Sequence, residues 1–445
     1  MTASTPVSAT PVSANPVSAS GALAERQTLR LCTAGSVDDG KSTFVGRLLH
    51  DTKSVLADQL AAVERTSADR GFEGLDLSLL VDGLRAEREQ GITIDVAYRY
   101  FATDKRTFIL ADTPGHVQYT RNTVTGMSTS QVVVLLVDAR NGVVEQTVRH
   151  LTVASLLGVK TVILAVNKID LVDYSRDVFE AIRADFAHKA AELGIEQPIA
   201  VPISALKGDN VATRSEATGW YDGPTVLELL EEIPVQSGRA LELDFRFPIQ
   251  YVLREHASDY RAYAGRVTAG RVRAGDTISA PGGRTTTVAG IDTADGEVDE
   301  ARAGDSVALR LAHDIDLARG DLLAAAPRED GSGRPADTRK FRATVVGLTD
   351  KELTRGAAVK LRYGTSLVRA RVASVDRVLD IDSPAGDDLE PAGVGLNDIA
   401  HVTIQTAEAL PVEPYAARGA VGSFLLIDQA SGNTLAAGFV GTRLR

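Results

Sequence analysis

A phosphate-binding motif constrains this chain more than any other stretch of its sequence. The motif Gly-x4-Gly-Lys-[Ser/Thr] is matched by residues Gly35, Ser36, Val37, Asp38, Asp39, Gly40, Lys41, Ser42 and Thr43. An apolar run, Leu29–Ala34, precedes the motif, and a helical pattern, Phe44–Leu49, follows it. We therefore expect a strand, a loop whose backbone N–H groups surround phosphates, and a helix whose positive end faces them. A glycine-rich turn that matches by chance is the alternative.

Two side chains of this loop have a direct use in phosphate chemistry. Lys41 is expected to reach the β- and γ-phosphates of a nucleotide, and the Ser42 hydroxyl is expected to ligate Mg²⁺. By contrast, Ser36 and Asp39 have no evident phosphate chemistry.

Composition bounds the location and the partners of the chain. The length of 445 residues predicts two to four domains. The formal charge of −11 indicates no basic surface for autonomous nucleic-acid binding, although a nucleic acid held by a local basic patch is still an alternative. Cys32 is the only cysteine, so intramolecular disulfides are excluded and a reducing cytoplasm is expected. We expect Cys32 to be a small buried hydrophobe.

The first residues form a low-complexity segment. The unit Pro-Val-Ser-Ala recurs within residues 1–25, with neither a basic start nor a continuous apolar centre. This pattern predicts a disordered tail rather than a secretory signal. No apolar run in the sequence approaches the length of a membrane span.

Residues 26–238 alternate predicted strands and helices. Near-continuous Val, Ile and Leu indicate parallel strands that are buried on both faces. These apolar runs are Leu29–Ala34, Phe108–Ala111, Gln131–Val137, Thr161–Val166 and Ile199–Ile203. Helical patterns between them include Val144–Leu157 and Arg176–Leu193. The fold class is therefore α/β, a doubly wound and mostly parallel sheet whose ligands lie at the carboxyl ends of the strands.

Beyond residue 238 the pattern changes to short strands and glycine-rich turns. Segments such as Arg273–Asp276 and Arg302–Asp305 predict turns of an antiparallel β-barrel over residues 239–330. The stretch Pro327–Pro335 has the composition of a linker. A second antiparallel barrel is predicted over residues 331–445, with strands near Phe341–Val346, Ser366–Val375, Ile399–Gln405 and Ser423–Ile427.

The segment Asp112, Thr113, Pro114, Gly115 and His116 follows a predicted buried strand. At that strand end, a carboxylate can hold Mg²⁺ through a water, and Gly115 leaves room for its N–H to approach a γ-phosphate. His116 is the candidate that orients the attacking water in phosphoryl transfer. A plain β-turn, and a histidine at a helix start without a catalytic role, are the alternatives.

A second motif predicts which base is bound. Asn167, Lys168 and Asp170 end the strand Thr161–Val166. The Asp170 carboxylate can accept two hydrogen bonds from guanine, whereas adenine offers neither donor and would leave it unpaired, so we expect guanine. Ser204, Ala205 and Leu206, one strand later, are expected to support the base through backbone contacts.

A threonine before the second strand completes the expected metal site. Thr93 lies in Gly91–Ile94, after a charged segment, and could supply the second hydroxyl to Mg²⁺ when a γ-phosphate is present. A surface helix that runs into an edge strand is the alternative.

The phosphate loop, Asp112–His116 and Asn167–Asp170 follow one another in an order that resembles the translation-factor GTPases. That class carries two β-barrels after the GTPase domain, so the resemblance covers nearly all of the chain. Within that class, the sequence is most similar to the GTPase subunit of bacterial sulfate adenylyltransferase. Elongation factors usually have Gly-His-Val-Asp-His-Gly-Lys, where this loop has serine and a second aspartate. Further similar runs are Ile94–Phe101, Tyr119–Met127, Asp138–Val143, Leu361–Thr365 and Thr434–Gly438.

The resemblance implies a division of labour. A smaller catalytic subunit of ATP-pyrophosphatase type would transfer the adenylyl group of ATP to sulfate, and this chain would hydrolyse GTP to drive that uphill reaction. We find no second phosphate-binding loop in the sequence, so we expect no fused adenylylsulfate kinase. Two alternatives remain: an elongation factor that delivers aminoacyl-tRNA, and a GTPase switch without an enzyme partner.

Overall fold

The structure is a computed structural model in three units, an α/β unit followed by two β-barrels. It describes residues 27–69, 71, 74–81, 96–116, 120–234, 240–255, 260–379, 393–416 and 421–443. The predicted tail over residues 1–25 and the candidate metal ligand Thr93 lie outside these ranges. Among the helices of the described ranges, none has the length and apolarity that a membrane span requires.

The first unit alternates strands and helices. Its strands are β1 (Thr28–Gly35), β2 (Ala97–Ala102), β3 (Thr107–Asp112), β4 (Val132–Asp138), β5 (Thr161–Asn167) and β6 (Ile199–Pro202). Its helices are α1 (Lys41–Asp51), α2 (Ala57–Asp69), α3 (Thr120–Ser128), α4 (Glu145–Leu156), α5 (Arg176–Glu192) and α6 (Val226–Glu232). Short 3₁₀ helices span Leu77–Leu80 and Ile169–Val172. The predicted strands and helices of this unit are confirmed, with ends that differ by no more than three residues.

Its sheet has the strand order β2-β3-β1-β4-β5-β6, in which β2 alone runs antiparallel. Because the other five strands are parallel, their carboxyl ends meet at one edge of the sheet. Every residue of β4 is buried, as the continuous Val and Leu run predicts for a strand covered on both faces. This edge is where the candidate site residues follow their strands.

Two apolar layers cover this sheet. Phe44 and Leu48 of α1 pack with α6 on one face, and Phe179 and Phe186 of α5 pack with α3 and α4 on the other. Cys32 is fully buried in the second layer, which confirms its predicted packing role.

The second unit is a closed six-stranded antiparallel barrel. Its ring runs β10-β15-β7-β8-β14-β11 and closes by pairing of β10 with β11. Its strands are β7 (Arg246–Glu255), β8 (Tyr260–Arg266), β9 (Arg271–Arg273), β10 (Thr277–Ser279), β11 (Thr285–Thr293), β12 (Gly296–Val298), β13 (Glu300–Arg302), β14 (Ser306–Leu311) and β15 (Leu322–Ala325). The two predicted Arg-Ala-Gly-Asp turns are confirmed, since in each the aspartate carboxylate accepts a hydrogen bond of 2.8 Å from the arginine N–H.

The third unit is a second closed barrel, with the strand order β16-β21-β19-β18-β22-β23. Its strands are β16 (Asp337–Gly347), β17 (Leu353–Thr354), β18 (Ala358–Tyr363), β19 (Ser366–Leu379), β20 (Gly393–Val394), β21 (Ile399–Pro411), β22 (Ser423–Asp428) and β23 (Thr434–Val440). The four strands predicted from sequence lie within β16, β19, β21 and β22.

Specific contacts join the units. The Tyr415 hydroxyl donates to the Leu157 carbonyl at 2.9 Å, and its ring packs at 4.9 Å from that of Phe439, within an apolar cluster shared with the α/β unit. Arg246 of the first barrel makes two hydrogen bonds, of 2.8 and 2.9 Å, to the Glu413 carboxylate of the second. These contacts tie the second barrel both to the α/β unit and to the first barrel.

Candidate functional site

The phosphate loop connects the central strand β1 to α1. Helix α1 begins at Lys41, after Gly40 in the left-handed conformation at φ 89°. The Lys41 ammonium donates hydrogen bonds to the carbonyls of Gly35, at 3.1 Å, and Ser36, at 2.6 Å. Burial lowers the pKa of Lys41, against the opposing charges of Asp39 and Asp112. A buried cation that donates to carbonyl oxygens is well placed to exchange them for phosphate oxygens.

Asp39 closes the loop on itself. Its side chain is buried and accepts a hydrogen bond of 2.5 Å from the backbone N–H of Ser36. Burial raises the pKa of this carboxyl, against the neighbouring Lys41 ammonium, which lowers it. Sequence reasoning found no phosphate chemistry for Ser36 and Asp39, yet the two residues hold the conformation of the loop. The hydrogen bond depends on loop geometry, which the residue types alone do not reveal.

The segment after β3 packs directly on this loop. Asp112 is buried and accepts a hydrogen bond of 2.8 Å from the Thr33 hydroxyl, while the Thr113 hydroxyl donates to the Thr33 carbonyl at 2.6 Å. A Cβ atom at Gly115 would lie 2.9 Å from the Ser36 backbone and against the Lys41 ammonium. Only glycine permits this approach. The chain therefore passes from β3 across the phosphate loop before it reaches His116.

His116 lies where the chain leaves the phosphate loop. The residue directly follows Gly115 and is half-buried. Ser42 and Thr43, the other loop candidates, lie in the first turn of α1 and are also half-buried. Pro114 precedes Gly115, and its carbonyl accepts a hydrogen bond of 3.4 Å from the buried Thr123 hydroxyl of α3. Helix α3 is thereby connected to the segment that crosses the phosphate loop.

Asn167 joins three of the predicted segments. Its side-chain amide donates to the Asp39 carbonyl at 2.7 Å, and its side-chain oxygen accepts from the Ala205 N–H at 2.9 Å. A Cβ atom at Gly40 would collide with the same amide. One buried side chain therefore positions the phosphate loop relative to Ser204, Ala205 and Leu206.

The rest of the base-recognition motif surrounds Asn167. The Lys168 ammonium donates to the carbonyl of Asp38, which with Val37 forms the outer part of the loop. Asp170 lies on the 3₁₀ helix Ile169–Val172, its side chain 8% exposed, and its carboxylate is 3.7 Å from the Lys207 ammonium. Leu206 is half-exposed beside it.

Arg47 of α1 supports the same side of the site. Its guanidinium donates to the carbonyls of Ala205, at 3.1 Å, and Leu206, at 2.5 Å. Ser204 pairs with Asp209 as an isolated β-bridge, and its hydroxyl accepts from the Lys207 N–H at 3.3 Å. The loop that would support the base is thus fixed both to α1 and to Asn167.

Asp138 was not identified as a site residue from sequence. It ends β4, is buried, and accepts hydrogen bonds from Arg140 at 2.6 and 3.0 Å, with the Lys168 ammonium 3.0 Å away. Burial by itself would raise the pKa of this carboxyl, but hydrogen bonds from Arg140 and Lys168 hold the pKa well below its ordinary value. The sequence feature that could have identified Asp138 is its place, as a carboxylate at the carboxyl end of a buried parallel strand.

His150 is a second residue that sequence reasoning missed. It lies fully buried on α4, with Nε2 at 3.0 Å from the side-chain amide of Gln146. Burial, together with the charges of Lys41 and Arg149, lowers the pKa of His150 to about 3. The imidazole is therefore neutral in the folded protein.

The structure brings the phosphate loop, Asp112–His116, Asn167–Asp170 and Ser204–Leu206 together at the carboxyl edge of the sheet. Thr93 lies outside the described residues. Within the described ranges, no group of three or more His, Cys, Asp and Glu side chains is arranged to hold a metal ion. The candidate metal ligands among these residues are one hydroxyl, Ser42, and one carboxylate, Asp112.

Comparisons with known proteins agree with this arrangement. The family model described as the elongation factor Tu GTP binding domain matches residues 26–236. The model described as the GTP-eEF1A C-terminal domain-like family matches residues 340–441. The GTPase-like domain of Ski7 from S. cerevisiae, solved with GTP bound, aligns with a TM-score of 0.51 and 18% identity over 94% of this chain and 97% of that one. The expected fold class is thereby confirmed.

Relatives align over nearly the whole chain. The bifunctional enzyme CysN/CysC of Mycobacterium tuberculosis is 49% identical over 93% of this chain and 67% of its own length. Sulfate adenylyltransferase subunit 1 of Cellvibrio japonicus is 44% identical over 95% of this chain and 88% of that protein. The protein of the same name from Methylorubrum populi is 47% identical over 94% and 87%. The chain therefore belongs to the sulfate adenylyltransferase subunit 1 family, within the translation-factor GTPases.

Proposed function

We propose that the chain is the GTPase subunit of a sulfate adenylyltransferase. It hydrolyses GTP to drive the formation of adenosine 5′-phosphosulfate and pyrophosphate from ATP and sulfate. The observation that carries this proposal is the alignment of relatives with that name over more than nine-tenths of the chain. The meeting of four motif segments at one sheet edge supports the GTPase part.

We assign the phosphates of GTP to the loop at residues 35–43. Its N–H groups and the N-terminus of α1 face the developing negative charge, and Lys41 adds a full positive charge. Since Lys41 is held by two loop carbonyls, it needs little rearrangement to reach a phosphate. We assign recognition of guanine to Asp170, with backbone support from residues 204–206. We assign to Lys168 the role of holding the phosphate loop closed, through its hydrogen bond to the Asp38 carbonyl.

The donor set fits a hard cation such as Mg²⁺. The Ser42 hydroxyl and, through a water, the buried Asp112 carboxylate would hold it, with Thr93 as a further hydroxyl ligand, and oxygen donors of this kind suit Mg²⁺. When bound, the ion would neutralise charge on the β- and γ-phosphates. The Thr33 hydroxyl orients the Asp112 carboxylate for this role, at 2.8 Å.

We assign the positioning of the attacking water to His116. Gly115 lies against Lys41 and Ser36, so the next residue leaves the phosphate loop at the end where a γ-phosphate would lie. A half-buried imidazole there can accept a hydrogen bond from water and align it for in-line attack.

The partner we propose is the smaller catalytic subunit of ATP-pyrophosphatase type, which would carry out adenylyl transfer. In this arrangement residues 26–238 bind GTP, and the barrels assigned to residues 239–330 and 331–445 offer further surface for assembly. Delivery of aminoacyl-tRNA by an elongation factor is not favoured, since these relatives, which align over 94–95% of the chain, carry the name of the sulfate-activating enzyme.

GTP hydrolysis by the purified chain tests this proposal. We expect slow turnover alone and faster turnover when the small subunit, ATP and sulfate are all present. Omission of sulfate serves as the control and is expected to reduce the stimulation. An unchanged rate with all three present would contradict the proposal, and tight GTP-dependent retention of charged tRNA on filters would favour the elongation-factor alternative.

A further inference from the structure

The outer surface of the second barrel carries a cluster of cations. Alternate residues of β16, β18 and β19 point away from the apolar barrel interior, because intervening residues such as Val359, Leu361, Val368 and Ala370 face inward. The outward positions hold Lys340 and Arg342 of β16, Lys360 and Arg362 of β18, and Arg369 and Arg371 of β19. We call these six residues the basic face. Five of them are exposed, and Arg362 is half-buried.

Strand register places like charges opposite each other. Lys360 lies directly across from Arg369 in the β18–β19 pair. Arg371 and Lys340 both face Gln405 of the intervening strand β21, and Arg371 donates to the Gln405 side-chain oxygen at 2.7 Å. Like charges directly opposite in a sheet destabilise it, so this arrangement costs folding stability unless an anionic partner neutralises it.

The first barrel offers a contrast in the same chain. Several of its arginines are paired with acids, as in Arg273 and Arg302 with Glu300, at 2.6 and 2.5 Å, or Arg328 with Asp244, at 2.7 Å. For the basic face, no carboxylate of the described residues lies within ion-pair distance of any of the six cations. In a protein with a formal net charge of −11, these six described cations therefore share one barrel face without an acidic neighbour.

The basic face reaches the nucleotide-binding unit. Arg362 also lines a groove of about 740 Å³ between the second barrel and α3. Arg121 and Thr125 of α3 line the opposite side of that groove. Because Thr123 of the same helix bonds the carbonyl of Pro114, a partner on the basic face would extend to the helix that follows His116.

We propose that the basic face binds an acidic protein surface on the small catalytic subunit, and that this contact extends across the groove to α3. The inference rests on the proposed function and specifies which surface of the chain the small subunit contacts. A protein fits better than a nucleic acid, since exposed Leu367 lies opposite Arg362 within the face. No described aromatic residue of this barrel is exposed to stack on bases.

The test reverses charge on this face. The double variant Arg369→Glu/Arg371→Glu is compared with Arg266→Glu/Arg271→Glu, at two exposed positions of the first barrel. The carboxylate introduced at position 369 would face Lys360, so the variant is expected to fold at least as stably as the original chain. Unchanged GTP affinity and thermal unfolding verify this.

Calorimetric titration of the small subunit into the full chain, at low and high ionic strength, provides the readout. We expect the basic-face variant to weaken binding by about 30-fold or more at low salt and to flatten its salt dependence, with the control variant near the original. Stimulation of GTP hydrolysis is expected to require correspondingly more small subunit.

Equal affinity and equal salt dependence in the basic-face variant would overturn the inference while leaving the proposed function intact. The inference would also be overturned if the variant lost binding to a labelled single-stranded RNA but kept its affinity for the small subunit. Absence of binding and of stimulation with the original chain would instead contradict the proposed function together with this inference.

Discussion

Asn167 donates a hydrogen bond of 2.7 Å to the carbonyl of Asp39, and this bond connects the base-recognition motif to the phosphate loop. The same amide side chain accepts from the N–H of Ala205 at 2.9 Å and is 2% exposed. The phosphate and base halves of the site are therefore positioned relative to each other by one buried residue.

Substitution Asn167→Ala removes both hydrogen bonds and leaves a buried carbonyl and a buried N–H without that partner. We expect the affinity for GTP to fall by about 30-fold or more, since each lost buried bond costs about 1–2 kcal/mol. Titration with a fluorescent GTP analogue measures it. Asn433→Ala, in an exposed turn of the second barrel, is the control, and a change below about twofold in the Asn167 variant would refute the role.

Gly115→Ala introduces a Cβ atom against the Ser36 backbone and Lys41. Because the backbone cannot yield without opening the phosphate loop, we expect GTP turnover to fall by about 10-fold or more. The matched control is Gly219→Ala, whose added Cβ would meet nothing closer than 3.6 Å. Steady-state release of phosphate from GTP measures this turnover. Equal turnover in the two variants would show that the close approach of Gly115 to the phosphate loop is not needed.

Asp138→Ala removes the carboxylate that holds Arg140 and Lys168. The side chains left behind, Arg140 and Lys168, are 50% and 25% exposed and stay partly hydrated, so we expect the free energy of unfolding to fall by only about 1 kcal/mol, while bound nucleotide dissociates faster. Urea unfolding and displacement of a fluorescent nucleotide measure the two effects. Asp185→Ala, which removes an exposed ion pair with Lys189, is expected to change neither by much, and similar behaviour of both variants would contradict the role.

His150 predicts a specific pH dependence. Its folded pKa of about 3 lies below the ordinary value of 6.5, so the unfolded chain binds the proton more readily. Stability attributable to this residue is fully present above pH 6.5 and decreases as the pH falls toward 3, by about 2 kcal/mol at pH 5. The free energy of unfolding, measured with a chemical denaturant, should therefore fall less steeply between pH 7 and 5 in His150→Gln than in the original chain. His188→Gln, at an exposed position, should leave this pH dependence unchanged. An unchanged slope in the His150 variant would count against a buried neutral imidazole.

Much of the fold is foreseeable because local pattern and tertiary environment agree. The fully buried strand β4 has the continuous Val and Leu expected between two helical layers. Motif residues follow strands whose parallel arrangement brings them to one edge, so the meeting of the motif segments at that edge could be predicted. The Arg-Ala-Gly-Asp turns specify their own hydrogen bonds within four residues.

Contacts that depend on loop conformation were not foreseeable. The bond from Ser36 N–H to Asp39 needs the loop to turn at Asp38, which has φ 64°. Asp138 connects two segments because the Lys168 ammonium, directly after β5, lies 3.0 Å away in addition to the neighbouring Arg140. By contrast, the register that places Lys360 across from Arg369 is set locally, by the two-residue turn at Gly364 and Thr365, since Tyr363 pairs with Ser366.

The most direct test of the account measures adenosine 5′-phosphosulfate at the end of the reaction, with the chain, the small subunit, ATP and sulfate, in the presence and absence of GTP. If GTP hydrolysis drives the transfer, GTP should raise the yield above the equilibrium amount reached without it. The variant His116→Ala should bind GTP normally but hydrolyse it slowly and yield only the equilibrium amount. Equal yields with and without GTP, or a full GTP-dependent yield from the His116 variant, would contradict the account.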